Sequence, residues 1–228
     1  INDNHDYFYI KKADASRVYG LELEDILSPN KINFLSDKDT LIEEHVIGVP
    51  GDQFIKDYLL GSMPYDKIRL AKEFVKFNER CFVRLLGDMR AYNFVVEIKQ
   101  DFDRVQYRIR AMDFDQQSYE GTKNIYLPQF FKDNISLVNL AQEQMTVKTV
   151  EQYSNEERAL LKKRLLLAKG KYLELIAIMK QDNISIKANI LSLRKDLGNY
   201  YNDADFEKAE SMGEILSLNI KNKLGLSF

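Results

Sequence analysis

Gly87-Asp88-Met89-Arg90-Ala91-Tyr92-Asn93 and, after an apolar hairpin, Met112-Asp113-Phe114-Asp115 are the stretches on which the reading of this chain turns. Asp88 and Asn93 are five residues apart. Asn93 leads into Phe94-Val95-Val96, an aromatic and β-branched run that reads as the start of a strand over 93–98. A second run, Val105 to Ala111, ends against Asp113, and polar Lys99 to Arg104 between the two reads as their turn. Singly these residues are ordinary, since Asp and Asn favour turns and an Asp after a strand also caps helices. Their order around one hairpin is what points to chemistry.

Upstream, Tyr7 to Ile10 reads as a strand ending in Lys11-Lys12. Asp14 to Leu27 reads as a helix, capped by Asp14 or Ser16, closed by Pro29 and weakened by Gly20. Lys31 to Leu35 and Thr40 to Val46 form a hairpin whose connection, residues 36–39, looks longer than a two-residue turn. Gly48-Val49-Pro50-Gly51 marks a boundary between residues 1–50 and 51–228.

Downstream, Phe54, Tyr58 and Leu59 suggest a short helix. Pro64 is expected to open a longer one bearing Ile68, Ala71, Phe74, Val75 and Asn78, with Phe82 to Leu86 a separate apolar segment. The last third is helical. Ser154 to Glu157 reads as a capping box before Leu160, Leu161 and Leu165. Tyr172, Leu175, Ile176 and Met179 continue the stripe, Ile186 to Leu197 make another ended by Gly198, and Phe206 to Ile220 make the last. Tyr7, Tyr9, Phe82 and Phe94 are expected in the core.

The two opening stretches resemble the catalytic and metal-binding loops of kinase-fold phosphotransferases. The form Gly-Asp-x-x-x-x-Asn is closest to aminoglycoside and choline phosphotransferases. The resemblance implies an α+β, two-lobed kinase-like fold: a small β-rich N-terminal lobe, expected to be incomplete at its start because the chain opens at Ile1, and a larger helical lobe. It implies ATP and Mg²⁺ as cofactors, with Asp88 orienting an acceptor hydroxyl and Asn93 and Asp113 holding the metal. Lys11 would contact the phosphates, paired with Glu22 or Glu24, and Leu41 to Gly48 would be the hinge, offering adenine the backbone of Glu44 and Val46. Three features depart from the family's form. Leu86 stands where a His is usual, Asp115 closes the metal motif in place of Gly, and no Gly-rich loop precedes Lys11. The resemblance therefore implies transfer of phosphate from ATP to an unspecified hydroxyl, with two alternatives: a pseudokinase serving as a nucleotide-binding or regulatory module, and a helical protein-interaction domain.

Composition narrows the classes. Of 228 residues, 45% are hydrophobic and 30% charged, the mix of an ordinary globular chain. A net charge of -2 gives no basic excess to suggest nucleic acid as partner. One cysteine, Cys81, allows no internal disulfide and reads as a buried thiol in a reducing, cytoplasmic compartment. Two histidines, His5 and His45, are too few for most His-based chemistry, and Asp101-Phe102-Asp103 has too few acidic neighbours for a calcium loop. No apolar run approaches the length that spans a membrane. Oligomeric state has no signature in the sequence.

Overall fold

A computed structural model describes residues 7–101 and 104–227. His5, Phe102 and Asp103 lie outside them. The chain is α+β, with small antiparallel sheets and a larger helical part. Strand β1 (Phe8–Lys12) is followed by helix α1 (Ala15–Leu27), β2 (Phe34–Asp37) and β3 (Thr40–Glu44). The first sheet has the order β1-β3-β2, so β3 lies centrally, between the strands that flank α1 in sequence. The β2–β3 connection is tighter than expected. Asp37 pairs with Thr40 across a two-residue turn, and Lys38 takes the positive φ of 52° that such a turn requires.

A second sheet joins β4 (Val49–Pro50), β5 (Phe94–Asp101) and β6 (Arg104–Ala111). Gly51 opens α2 (Gly51–Phe54), which runs on as a π-turn over Ile55–Leu59. Helix α3 (Lys67–Arg84) starts at the Asp66 cap, not at Pro64: the Asp66 carboxylate accepts the Arg69 N–H at 3.0 Å, a cap contributing about 1 kcal/mol. It also absorbs Phe82, which the sequence had suggested was separate. Phe74, Phe77, Cys81 and Phe82 all face inward, so one continuous stripe holds the helix. Burial pushes the Cys81 thiol far up, consistent with an inert side chain.

Helices α4 (Ile135–Gln144), α5 (Val147–Leu167), α6 (Lys169–Gln181), α7 (Lys187–Tyr201) and α8 (Met212–Leu224) complete the helical part. Ser154 lies inside α5, whose start is capped by Thr146; the reciprocal capping box is Ser211 with Glu214, at the start of α8. Gly198 is likewise internal, and α7 ends at Asn202 in the left-handed region. Phe82 and Phe94 are buried as expected, whereas Tyr9 on β1 and Tyr7 just before it are exposed. No helix among the described residues is long and apolar enough to cross a membrane.

Two apolar clusters share α1 and α3. One joins the two sheets to α3 from Leu70 to Cys81 and to α4, through Leu41, Phe54, Phe74, Phe94 and Phe114. The other joins the C-terminal ends of α1 and α3 to α5–α8, through Leu27, Phe82, Leu165, Met179 and Leu216. The end of α3 enters the segment that carries Asp88.

Candidate active site

The last turn of a helix leaves carbonyls without intrahelical partners, and buried carbonyls must find donors elsewhere. At the end of α3 two fully buried amides supply them. Asn219 Nδ2, from α8, donates to the Phe82 and Val83 carbonyls at 2.8 and 3.0 Å. Gln117 Nε2 donates to the carbonyls of Arg84 and Leu85. Leu85 then turns the chain at φ 54°, a conformation costing a non-glycine residue roughly 1–2 kcal/mol. The same conformation recurs at Asp88, φ 55°.

The Asp88 loop is fastened along its length. The Gly87 N–H donates to the Gln116 carbonyl and the Asp88 N–H to the Ile125 carbonyl, both at 3.1 Å. Asn134, fully buried, donates through Nδ2 to the carbonyls of Met89 and Pro128 at 2.9 and 2.8 Å. Asn93 Nδ2 donates to the Asp88 carbonyl at 2.7 Å and lies 3.4 Å from its carboxylate. The other Asp88 oxygen meets Arg90 Nε at 2.7 Å. Leu86, two residues before Asp88, is fully buried and bridges to Gln117, so its side chain serves packing.

Asp113 is brought to Asn93 by strand register. Phe94 pairs with Ala111, and the Met112 N–H donates to the Asn93 carbonyl at 3.0 Å. Phe114, next along, is buried against α1 at Gly20, where a Cβ would come within 2.7 Å of the Phe114 Cβ. The glycine that weakens α1 in the sequence is what lets the helix approach.

Lys11 faces the same turn. Its ammonium donates to the Met112 carbonyl at 3.2 Å and pairs with Glu43 at 3.1 Å. Sheet register dictates that partner. Lys11 lies opposite Leu41, so Glu43, two residues on, is its diagonal neighbour on the same face. Burial holds the Glu43 carboxyl above its usual range, with Lys11 pulling the other way and Asp113 adding to the rise.

Glu22 does not pair with Lys11. Its carboxylate lies 2.7 Å from Lys171 on α6, and Glu24 pairs with buried Arg84. At 100° per residue, Arg17, Gly20 and Glu24 share the face of α1 that meets the Asp113 turn and α3, while Glu22 is directed away from Gly20. Arg17 takes the position on that face nearest Asp113 and Asp115. It pairs with Asp14, and its guanidinium lies 3.8 Å from Asp113 Oδ1 and 3.7 Å from Asp115 Oδ2. Asp115 is held above the usual carboxylate range by burial, then by Asp113, with Asp88 and Asp14 adding to the effect against Arg17. Glu44 points the other way from Glu43. Its carboxylate accepts from Asn33 at 2.7 Å, and its N–H donates to the Asn33 carbonyl at 2.8 Å. Val46, just past the end of β3, is buried, and the Tyr9 hydroxyl lies 2.7 Å from His45 Nδ1.

The structure thus brings together Lys11, Asp88, Asn93 and Asp113, and leaves Glu22 elsewhere. Sequence reasoning missed Arg17, Glu43 and Asn134. Only Glu43 left a signal, the β-strand alternation that puts it on the face of Leu41. Compared with protein-family models, with curated proteins and with solved structures, the chain matches none.

Proposed function

We propose that the chain is a kinase-like, two-lobed phosphotransferase that moves a phosphoryl group from ATP to a hydroxyl with Mg²⁺. One observation carries this reading: an unbroken string of hydrogen bonds from Lys11 to Met112 (3.2 Å), Met112 to Asn93 (3.0 Å) and Asn93 to Asp88 (2.7 Å). It supports the reading because the residues it joins are those to which the resemblance would give the phosphate-contacting, metal-holding and catalytic roles. The sheet order β1-β3-β2, with α1 between β1 and β2, and the β5–β6 hairpin between the two motif loops support it further.

The donor set fits the metal. Among the described residues no group of three or more His, Cys, Asp or Glu side chains forms a cage. Mg²⁺ needs none, because it keeps waters and takes one or two carboxylates together with phosphate oxygens. Asp113 offers a carboxylate. Asn93 offers an amide oxygen, its nitrogen being already turned to Asp88. When bound, the metal would neutralise charge on the phosphates being parted. Asp88 would orient the acceptor hydroxyl and take its proton. Arg90, ion-paired and exposed, would be displaced or shared as the acceptor arrives. Lys11, held by Glu43, would steady the phosphates from the opposite side.

Transfer from ATP, followed as ADP formation over a panel of sugars, amino alcohols and nucleosides, tests the reading. Activity equal in wild type and Asp88→Asn would sink it. A second reading, a nucleotide-binding module without turnover, is favoured by the Arg17 guanidinium set against Asp113 and Asp115. Nucleotide binding by wild type with no transfer above the Asp88→Asn level would select it.

A further inference from the structure

Away from the Asp88 site, a groove of about 720 Å³ runs between the end of α1, α3, β6 and α5, lined by seven basic residues and two glutamates. A second groove of about 420 Å³, with four basic residues and one glutamate, adjoins it and shares Pro29, Gln106, Tyr107 and Arg108. This concentration of cations sits on a chain whose net charge is -2.

Six of the ten cations lining the two grooves are ion-paired in place. Arg69 pairs with Asp66, Lys72 and Lys76 with Glu156, buried Arg80 with Glu73 and Glu157, Lys31 with Asp25, and Lys99 with Glu97. Three of the other four hold neutral acceptors. Arg108 donates to the Asn30 side-chain oxygen at 3.1 Å, Arg110 to the Lys31 carbonyl at 3.2 Å, and Arg164 to the Asp25 carbonyl at 3.4 Å. Lys163 is exposed and has no ion pair among the described residues. A guanidinium on a carbonyl keeps its full charge, and a cleft with low-dielectric walls concentrates the resulting field.

We propose that this groove binds an acidic peptide segment with apolar residues between its carboxylates. On α5, Leu160, Lys163, Arg164 and Leu167 follow i, i+3, i+4, i+7 spacing and form one stripe. Leu160 is 53% and Leu167 81% exposed, so apolar and cationic contacts alternate along it. Base stacking on nucleic acid needs exposed rings. The one aromatic residue lining either groove is Tyr107, whose ring is buried and whose hydroxyl accepts the Asp66 N–H at 3.0 Å. Glu97, opposite Arg108 across the β5–β6 pair, would break a continuous phosphate track but leaves room for spaced carboxylates. The concave shape disfavours a lipid plane. The proposal rests on none of the residues assigned to phosphoryl transfer.

Fluorescence anisotropy of the full chain with a short labelled peptide alternating Glu and Leu tests it. The comparison ligands are the same peptide with Gln for Glu, a labelled oligouridylate, and phosphatidylserine-containing vesicles. The acidic peptide should bind, weaken with salt, and lose roughly tenfold in affinity in Lys163→Glu and again in Arg108→Gln. Lys148→Glu, at the far end of α5, should bind as wild type. Lys163→Glu alters an exposed side chain, and an unchanged unfolding transition will show that it folds. The proposal is overturned if the acidic peptide fails to bind, if Lys163→Glu and Arg108→Gln leave its affinity unchanged, or if the oligouridylate or vesicles bind more tightly through the same residues.

Discussion

The two walls of the Asp88 site are built on different principles. The wall that carries Asp88 and Asn93 is set by amides: Gln117, Asn134 and Asn219 each donate to two backbone carbonyls, and all three are fully buried. The wall that carries Lys11 is set by charge: Glu43 holds the lysine, while Arg17 lies among Asp14, Asp113 and Asp115. Neutral hydrogen bonds between buried groups fix geometry without regard to salt or pH. Half-buried ion pairs hold geometry only while their charges persist, and they can exchange partners when a charged ligand enters. A site of this kind has one rigid side and one responsive side.

The largest effect should come from Asp88 itself. On the proposed function, Asp88→Asn is expected to lower phosphoryl transfer by at least about a hundredfold with an unchanged circular dichroism spectrum, the usual weight of a general base. Next is the brace beneath it. Asn134→Ala leaves the Met89 carbonyl unmet, while the Pro128 carbonyl keeps the Phe131 N–H, and should cost about 1–3 kcal/mol in urea unfolding. It should also lower transfer while leaving nucleotide affinity nearly intact, because the Lys11 wall is separate. An equal loss of nucleotide affinity would erase the distinction between the walls.

The responsive wall gives smaller effects. Glu43→Gln should weaken ATP binding by about tenfold as Lys11 loses its charged partner, whereas Glu22→Gln should leave it unchanged; calorimetric titration distinguishes them. The reverse ranking would restore the pairing that the sequence suggested.

The smallest effect is on the pH dependence of stability. Burial raises the Glu43 carboxyl above its usual 4.5, so the folded chain retains a proton that the unfolded chain releases. That contribution is fully present below pH 4.5 and is lost as pH rises through the folded value. Glu43→Gln should flatten this decline, as seen in unfolding midpoints taken across that window.

The site's local parts were legible in the sequence because their signals are local. A strand, a turn of Gly and Asp, an apolar hairpin and an Asp at its end each announce themselves within a few residues. Partners were not legible, because they depend on the rotational phase of a helix and the register of a sheet. Glu22 and Glu43 both sit on segments beside Lys11; only packing turns one away and the other in. The motif of Ser154 and Glu157 has the spacing of a cap, yet Thr146 starts α5 eight residues earlier, since inward Glu157, Leu161 and Leu165 extend a face already begun. Gln117, Asn134 and Asn219 had no visible role at all, for an amide that caps a distant helix has no sequence pattern. The basic groove escaped notice for a related reason. Its cations come from separate segments, and their charges cancel in any whole-chain sum.

Asn219 also bears on the order in which the molecule can be made. It lies 137 residues after Phe82, whose carbonyl it satisfies. During vectorial synthesis the end of α3 must wait, with water on those carbonyls, until α8 has left the ribosome. Contacts of such long separation close late and at a high entropic cost. The end of α3, which leads into the Asp88 loop, is therefore among the later parts of the fold to be completed, although it is translated well before α8.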